Sequence, residues 1–229
     1  MPPDRRMTIA EERAARTEAR RNRPKAEPPL LRFDRVERTL HWVNATLFGI
    51  LMLTGAALYA GPISTLVGNR ELVRTVHVWS GLLLPVPLVI GILGHRGKRL
   101  RTDLGRLNRW SHDDARWFRR RHRDQVALGK FNPGQKLNAA FIAGAAVVML
   151  GTGSIMKWFS LFPLDWRTGA TFVHDWFALG VWIAVLGHIA FALRDGDALD
   201  SMLNGSVPAS WARKKAPLWY EELRSPPSS

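Results

Sequence analysis

Four histidines lie within or at the edge of stretches that otherwise lack charged residues: His41, His77, His174 and His188. An ionisable side chain in such an apolar stretch is costly, so it needs a partner or a task. A single histidine could make an interhelical hydrogen bond, but four at regular positions indicate a shared function. Neutral imidazole is a common ligand of haem iron, zinc and copper.

The spacing of the histidines sorts them into two pairs. His174 and His188 are 14 residues apart, which on one helix places them about 21 Å apart and within about 40° of the same face. If successive helices cross a membrane in alternate directions, His77 shares the depth of His174, and His41 that of His188. Zinc or copper usually takes three or four converging ligands, whereas two facing imidazoles form the axial ligand set of haem b. The pattern therefore predicts two haem b groups, with these four histidines as the iron ligands.

One other histidine competes for a place in these pairs. His95 follows His77 by 18 residues, or five ideal helical turns, so it faces the same side and could replace His41. Geometry alone leaves both choices open. His112 and His122 lie in a charged connector among Arg and Asp, and we expect them to be solvated surface residues.

The apolar stretches predict the fold class. They cover about residues 39–60, 75–95, 137–156 and 173–193, and a helix of about 20 apolar residues crosses a bilayer. We therefore expect an all-α, integral membrane four-helix bundle, kinked in its second span where prolines remove backbone donors. Three glycines would allow a porphyrin to approach a helix, or would serve helix packing equally well: Gly55, Gly81 and Gly180.

The 33 Lys and Arg residues, with a net charge of +14, are distributed in step with these spans. Segments expected on one side of the membrane hold 29 of them and the opposite side holds 4, which places the N- and C-termini in the cytoplasm. This distribution indicates a membrane protein rather than a nucleic-acid binder. We expect it to lie in the bacterial cell (inner) membrane. Residues 1–36 are predicted to be a basic disordered cytoplasmic tail, 37–195 the haem domain with a cytoplasmic connector at 96–136, and 196–229 a cytoplasmic C-terminal tail.

The sequence contains no cysteine. This absence excludes disulfides, iron–sulfur clusters held by this chain and covalently attached c-type haem. Any haem must therefore be held by side-chain ligation alone.

Three motifs resemble the gamma subunit of membrane-bound formate dehydrogenase, a dihaem cytochrome b related to the b-type cytochromes of nickel-iron hydrogenases. They are Arg38-Thr-Leu-His41-Trp42-Val-Asn44, His77-Val-Trp-Ser-Gly81 and Gly129-Lys-Phe-Asn132-Pro-Gly134-Gln135-Lys136. The resemblance covers about residues 31–203 and includes the two histidines separated by 14 residues.

The resemblance implies a set of binding residues. It implies that His77 and His174 hold one haem, that His41 and His188 hold the other, and thus that His41 is preferred to His95. It also implies that a quinone, either menaquinone or ubiquinone, binds near the second haem with help from Asn132, Gly134, Gln135 and His188. The residues alone favour a helix-capping turn over the segment 129–136.

The function implied by the resemblance is electron transport in anaerobic respiration. Such a subunit passes electrons from an iron–sulfur beta subunit to membrane quinone, while a molybdenum or tungsten alpha subunit, not this chain, oxidises formate. Alternatives are the cytochrome b subunit of a nickel-iron hydrogenase or another quinone-linked reductase, and a non-haem membrane anchor or permease. The last is disfavoured because, apart from Asp175 at a span edge, the spans contain no Asp or Glu.

Overall fold

A computed structural model describes residues 13, 27–119 and 126–225 of the chain. His122 and most of the predicted N-terminal tail lie outside the described residues. The elements, in chain order, are β1 (Leu30–Leu31), α1 (Arg35–Tyr59), α2 (Gly61–Val67), α3 (Arg70–Leu83), α4 (Pro85–Leu93), α5 (Lys98–Asn108), α6 (His112–Phe118), α7 (Pro133–Lys157), α8 (Leu164–Arg194), α9 (Gly196–Asn204), β2 (Ser206–Val207), α10 (Ala209–Lys215) and α11 (Pro217–Arg224).

Four helical segments are long and apolar enough to cross a membrane: α1, α3 continued by α4, α7 and α8. They contain 25, 24, 25 and 31 residues, so each is at least about 36 Å long, against about 30 Å of bilayer hydrocarbon. Many apolar side chains point outward, including Leu53 at 69% and Leu93 at 80% exposure. Such faces suit contact with lipid or with a partner protein. The predicted all-α, four-span architecture is confirmed.

The spanning helices pack as two hairpins. In the first, α1 lies along α3; in the second, α7 lies along α8. The hairpins meet where α3 contacts α7 and where α1 contacts α8. Near the end of α4, the neighbouring side chains pack closely against Gly91. A Cβ at this position would lie 2.5 Å from Leu40 Cδ1 and 3.0 Å from Leu100 Cδ2. This glycine lets α1 and α5 approach the end of the second span.

Prolines shape the connections between helices. The second span is interrupted at Leu84, whose N–H donates to the Gly81 carbonyl at 3.3 Å in place of a regular helical bond. The interruption lies next to Pro85, which has no N–H to donate. Gly61 and Pro62 begin the short helix α2, because proline suits the first turn of a helix.

Two of the spanning helices extend beyond the apolar stretches of the sequence. Helix α8 begins at Leu164, before the apolar stretch at 173–193. Helix α1 begins at Arg35, where the side chain of Asp34 accepts from the Glu37 N–H and that of Glu37 accepts from the Asp34 N–H. This capping box satisfies two N–H groups that have no partner within the helix.

The described parts of the two predicted tails are folded against each other. Strand β1 pairs antiparallel with β2, with Leu30 opposite Val207 and Leu31 opposite Ser206. The residues after β2 form a small apolar core of Val207, Trp211, Ala212, Ala216 and Trp219. Buried tryptophans supply large apolar area to a small layer. Residues 27–34 and 196–225 are thus an ordered layer at one end of the bundle, not simple tails.

A buried charged cluster joins this layer to the bundle. Lys130 donates a hydrogen bond to Asp103 and lies 4.0 Å from Glu37, and all three side chains are at most 6% exposed. Burial lowers the pKa of Lys130, against the opposing effect of Asp103. Burial likewise lowers the pKa of Arg32 to about 10, and the Arg32 guanidinium lies over the Trp211 ring at 4.4 Å.

Candidate functional site

Each of the four histidines first singled out lies on a spanning helix. His41 is the seventh residue of α1, and His77 is the eighth residue of α3. His174 and His188 both lie on α8. The 14 residues between the last two correspond to about 21 Å of helix. Helix α8 therefore contributes one imidazole near each end of the bundle.

The structure brings these histidines together as two facing pairs. The ring centroids of His77 and His174 are 6.3 Å apart, and those of His41 and His188 are 6.1 Å apart. An iron atom bonded to one nitrogen of each ring at about 2 Å would require centroids about 6 Å apart. Both separations fit such a bis-imidazole site.

Two other histidines do not join the pairs. His95 lies in a short 3₁₀ helix, His95–Gly97, beyond the end of the second span, and is exposed. His112 is exposed at the start of α6, as expected. Within the described residues, no group of three or more His, Cys, Asp or Glu side chains could hold a metal ion. The pairs therefore suit an iron that takes its other ligands from a porphyrin.

Threonine hydroxyls hold the two rings of the His77–His174 pair. Thr54 Oγ1 lies 2.9 Å from His77 Nδ1, and Thr152 Oγ1 lies 2.9 Å from His174 Nδ1. Because Nδ1 is occupied in both rings, Nε2 is the atom left to bind iron. A hydrogen bond to the non-ligating nitrogen is the usual way that proteins orient a metal-binding imidazole.

Glycine next to each threonine makes room for the imidazole. A Cβ at Gly55 would lie 3.3 Å from His77 Cε1, and one at Gly153 would lie 3.4 Å from His174 Cε1. Of the three glycines predicted to admit a porphyrin, Gly55 thus contacts a histidine. Gly81 and Gly180 instead face side chains of neighbouring helices, as in ordinary helix packing.

The His41–His188 pair has different surroundings. Within the described residues, neither imidazole takes part in a hydrogen bond. Trp42 packs edge-on against His41 with 5.3 Å between ring centroids. One turn from His41, the buried Asn44 Oδ1 has no hydrogen-bond partner in the described part of the chain, so it is available to a bound group.

The predicted quinone residues Asn132 and Gln135 form the cap of α7. Asn132 Oδ1 accepts from the Gln135 N–H at 2.9 Å, and Gln135 Oε1 accepts from the Asn132 N–H at 3.0 Å. Both side-chain oxygens are thus used, while both amide NH₂ groups remain as donors. His188 lies at the same end of the α7–α8 hairpin, but no hydrogen bond joins it to these amides within the described residues.

Gly134 lies where the connector packs on α7. A Cβ at this position would lie 3.2 Å from Asn132 Oδ1 and 3.3 Å from the Trp117 ring. Nearby, Lys136 donates to Asp114 at 2.8 Å and Ser111 also donates to that carboxylate. Burial tends to raise the pKa of Asp114, but these hydrogen bonds outweigh it and lower the pKa below its ordinary value of 3.8.

The family model described as prokaryotic cytochrome b561 matches residues 32–205. The chain belongs to the prokaryotic cytochrome b561 family. As a member of this family, it is a multi-pass bacterial membrane protein that binds haem b and has an electron-transfer role. The geometry of the two histidine pairs fits that cofactor.

Curated relatives of this cytochrome b561 family member include cytochrome subunits of formate dehydrogenase. The cytochrome b556 subunit of Haemophilus influenzae is 25% identical over 201 residues, which cover 84% of this chain and 83% of the relative. The cytochrome b556(fdo) subunit of Escherichia coli K12 is 24% identical over 212 residues, covering 87% and 96%. The nitrate-inducible cytochrome b556(Fdn) subunit of the same strain is 23% identical over 202 residues, covering 85% and 91%.

Sequence reasoning missed Thr54, Thr152 and Gly153. A signal for them exists in the sequence, because a Thr-Gly dipeptide occurs in the first and third spans. Each threonine precedes the histidine that it contacts by 22 or 23 residues. The repeated spacing matches the two helical hairpins of this cytochrome b561 family member.

Proposed function

We propose that this protein is the membrane cytochrome b subunit of a respiratory formate dehydrogenase, which passes electrons from an iron–sulfur partner subunit through two b haems to membrane quinone. The observation that carries the proposal is the presence of two facing histidine pairs near opposite ends of α8. The names of the relatives support the choice of formate dehydrogenase.

Each histidine pair has the properties required to hold haem b, which supplies a one-electron ferric/ferrous couple when bound. Neutral imidazoles from facing helices present one nitrogen each to a shared centre. The helices around them exclude water, which limits the change in solvation as the charge changes. We propose His77 with His174 and His41 with His188 as the ligand pairs.

The charge distribution gives the orientation that we propose. The end of the bundle with the His41–His188 pair adjoins the described parts of the connector 96–136 and of both terminal segments. In the sequence, these three segments hold 29 of the 33 Lys and Arg residues. Positive segments remain in the cytoplasm. In the inner membrane, the His77–His174 pair would then lie near the outer surface and receive electrons from the iron–sulfur subunit.

The proposed quinone site lies at the cytoplasmic end, beside the His41–His188 pair. The amide NH₂ groups of Asn132 and Gln135 would donate hydrogen bonds to the carbonyls of menaquinone or ubiquinone. The small size of Gly134 lets Asn132 and the Trp117 ring pack closely at the start of α7, and His188 would provide the link to the haem. Reduction of the quinone at this side would take up protons from the cytoplasm.

Haem quantitation on variants tests the ligand assignment. We expect two haems per chain in the wild type, and one lost or severely perturbed in each of His77→Ala and His188→Ala in reduced-minus-oxidised spectra. His112→Ala is the matched control, since His112 is exposed and remote from the pairs. A wild-type content of one haem, or an unchanged spectrum in both variants, would contradict the assignment.

The electron donor is tested on the intact complex purified from membranes. If the proposal is correct, formate reduces both haems and the haems reoxidise when quinone is added. Reduction by dihydrogen but not by formate would show a hydrogenase partner instead. A preparation without haem would indicate a membrane anchor or permease.

A further inference from the structure

We infer that the hydroxyls of Thr54 and Thr152 are positioning groups for the outer haem: they hold His77 and His174 with Nε2 toward the iron and lower the reduction potential of that site. This inference rests on the proposed function, in which this pair holds haem. It assigns a role to one threonine on the first helix of each hairpin.

The direction of the hydrogen bonds follows from the surroundings of each hydroxyl. Thr152 Oγ1 lies 2.8 Å from the Val148 carbonyl and 2.9 Å from His174 Nδ1. A hydroxyl has a single proton, and a carbonyl can only accept. Thr152 therefore donates to Val148 and accepts from the Nδ1–H of His174.

The same arrangement recurs in the other hairpin. Thr54 Oγ1 lies 2.6 Å from the Ile50 carbonyl and 2.9 Å from His77 Nδ1, so it too accepts from the imidazole. Within the described residues, the two hairpins thus hold one imidazole each by the same kind of threonine contact.

Two consequences follow for a bound iron. The proton on Nδ1 leaves the Nε2 lone pair free to coordinate, and the hydrogen bond fixes the rotation of each ring. Donation from Nδ1–H to an acceptor also increases the basicity of the ligating nitrogen. A more basic ligand stabilises ferric over ferrous iron, so it lowers the potential.

The other histidine pair has no such threonine hydrogen bonds within the described residues. Within the described ranges, His41 and His188 have no hydrogen-bonding residue. The two hydroxyls therefore distinguish the sites chemically: other effects being equal, the His77–His174 site has the lower potential. Electrons that enter at that site then move downhill toward the His41–His188 pair.

The test compares four variants by potentiometric titration of the haem absorbance. Thr152→Val and Thr54→Val remove the hydroxyl at nearly constant volume, while Thr152→Ser retains it. Thr46→Val is the matched control, because Thr46 on α1 donates to the Trp42 carbonyl at 2.9 Å in the same way but contacts no histidine.

We expect Thr152→Val to keep two haems and to raise the lower of the two midpoint potentials. A tenfold weakening of ferric relative to ferrous ligation, the low end for loss of such a partner, corresponds to about 59 mV for one electron. Thr54→Val should raise the same potential by a similar amount, because Thr54 contacts His77 as Thr152 contacts His174. Thr152→Ser and Thr46→Val should match the wild type, and loss of haem in Thr152→Val but not in Thr152→Ser would also support the inference.

The inference is overturned if Thr152→Val leaves both potentials unchanged, or if Thr152→Ser loses haem as readily as Thr152→Val. These outcomes differ from failure of the proposed function. A wild type that lacks haem, or His77→Ala that retains both haems, would remove the basis of the site itself.

Discussion

Replacement of Lys130 by methionine is expected to destabilise the protein by about 3 kcal/mol, because it leaves buried carboxylates without their cation. The side chain of Lys130 is 5% exposed and donates to Asp103, which is 6% exposed; Glu37 lies 4.0 Å away. Methionine has a similar shape and leaves the packing largely unchanged. The loss should therefore be electrostatic.

The magnitude follows from which partners remain. Removal of one member of a buried ion pair costs about 3–5 kcal/mol. Asp103 retains Arg106, which donates to it at 2.8 Å from a side chain 27% exposed, so the lower figure applies. Glu37 has no other cation in a described salt bridge.

Thermal unfolding of the purified protein, followed by loss of the haem absorbance, measures the effect. For a chain of this size, 3 kcal/mol corresponds to a lowering of the midpoint by about 6–12 °C. Lys98→Met is the control, since Lys98 is exposed, and it should lie within about 0.5 kcal/mol of the wild type. Adding Asp103→Asn to Lys130→Met should recover part of the loss. A Lys130→Met midpoint equal to that of the control would refute the reasoning.

Two further predictions concern stability. Gly91→Ala should cost about 1–3 kcal/mol by overpacking, measured by thermal unfolding, while Gly151→Ala, where a Cβ meets no atom within 4 Å, should not destabilise. The lowered pKa of Asp114 means that its contribution is present above pH 3.8 and is lost as the pH falls through the lower folded-state value. Lys136→Met should therefore weaken the acid dependence of the unfolding midpoint below pH 4; an unchanged profile would contradict this.

The spanning helices could be predicted from sequence because their signal is local. A helix in lipid satisfies its own backbone, so about 20 apolar residues suffice to identify it. The ends of the helices were harder to predict from the sequence, because they depend on caps such as Asp34 with Glu37 and on the turn before Leu164. Polar residues at the membrane surface extend a helix without extending the apolar stretch.

The ordered layer at the end of the bundle could not be predicted from local pattern. Strand β1 is two residues long and pairs with a segment more than 170 residues later. The apolar residues that hold the layer, such as Trp211 and Trp219, lie in short runs interrupted by polar and charged residues. Burial of Arg32 over Trp211 depends entirely on that distant pairing.

The histidine pairing could be predicted from the sequence, because on a helix the number of residues between two side chains sets both their separation along the axis and whether they lie on the same face. Helical geometry did not choose between His41 and His95, because the choice depends on where the second span ends; only the resemblance favoured His41. The structure ends that span at Leu93 and leaves His95 exposed in the following turn. The threonine partners required knowledge of which helices form hairpins, which fixes the neighbours of each imidazole.

The arrangement of the helices gives the two kinds of histidine contact different roles in the fold. Each threonine–histidine hydrogen bond lies within one hairpin, α1 with α3 or α7 with α8. Each histidine pair, in contrast, joins one hairpin to the other. Haem b bound as proposed therefore links two hairpins whose direct contacts are fewer than those within each hairpin. Because ligand binding to the assembled bundle stabilises it, the cofactor would hold the bundle together while the two hydroxyls hold His77 and His174 in position to bind it.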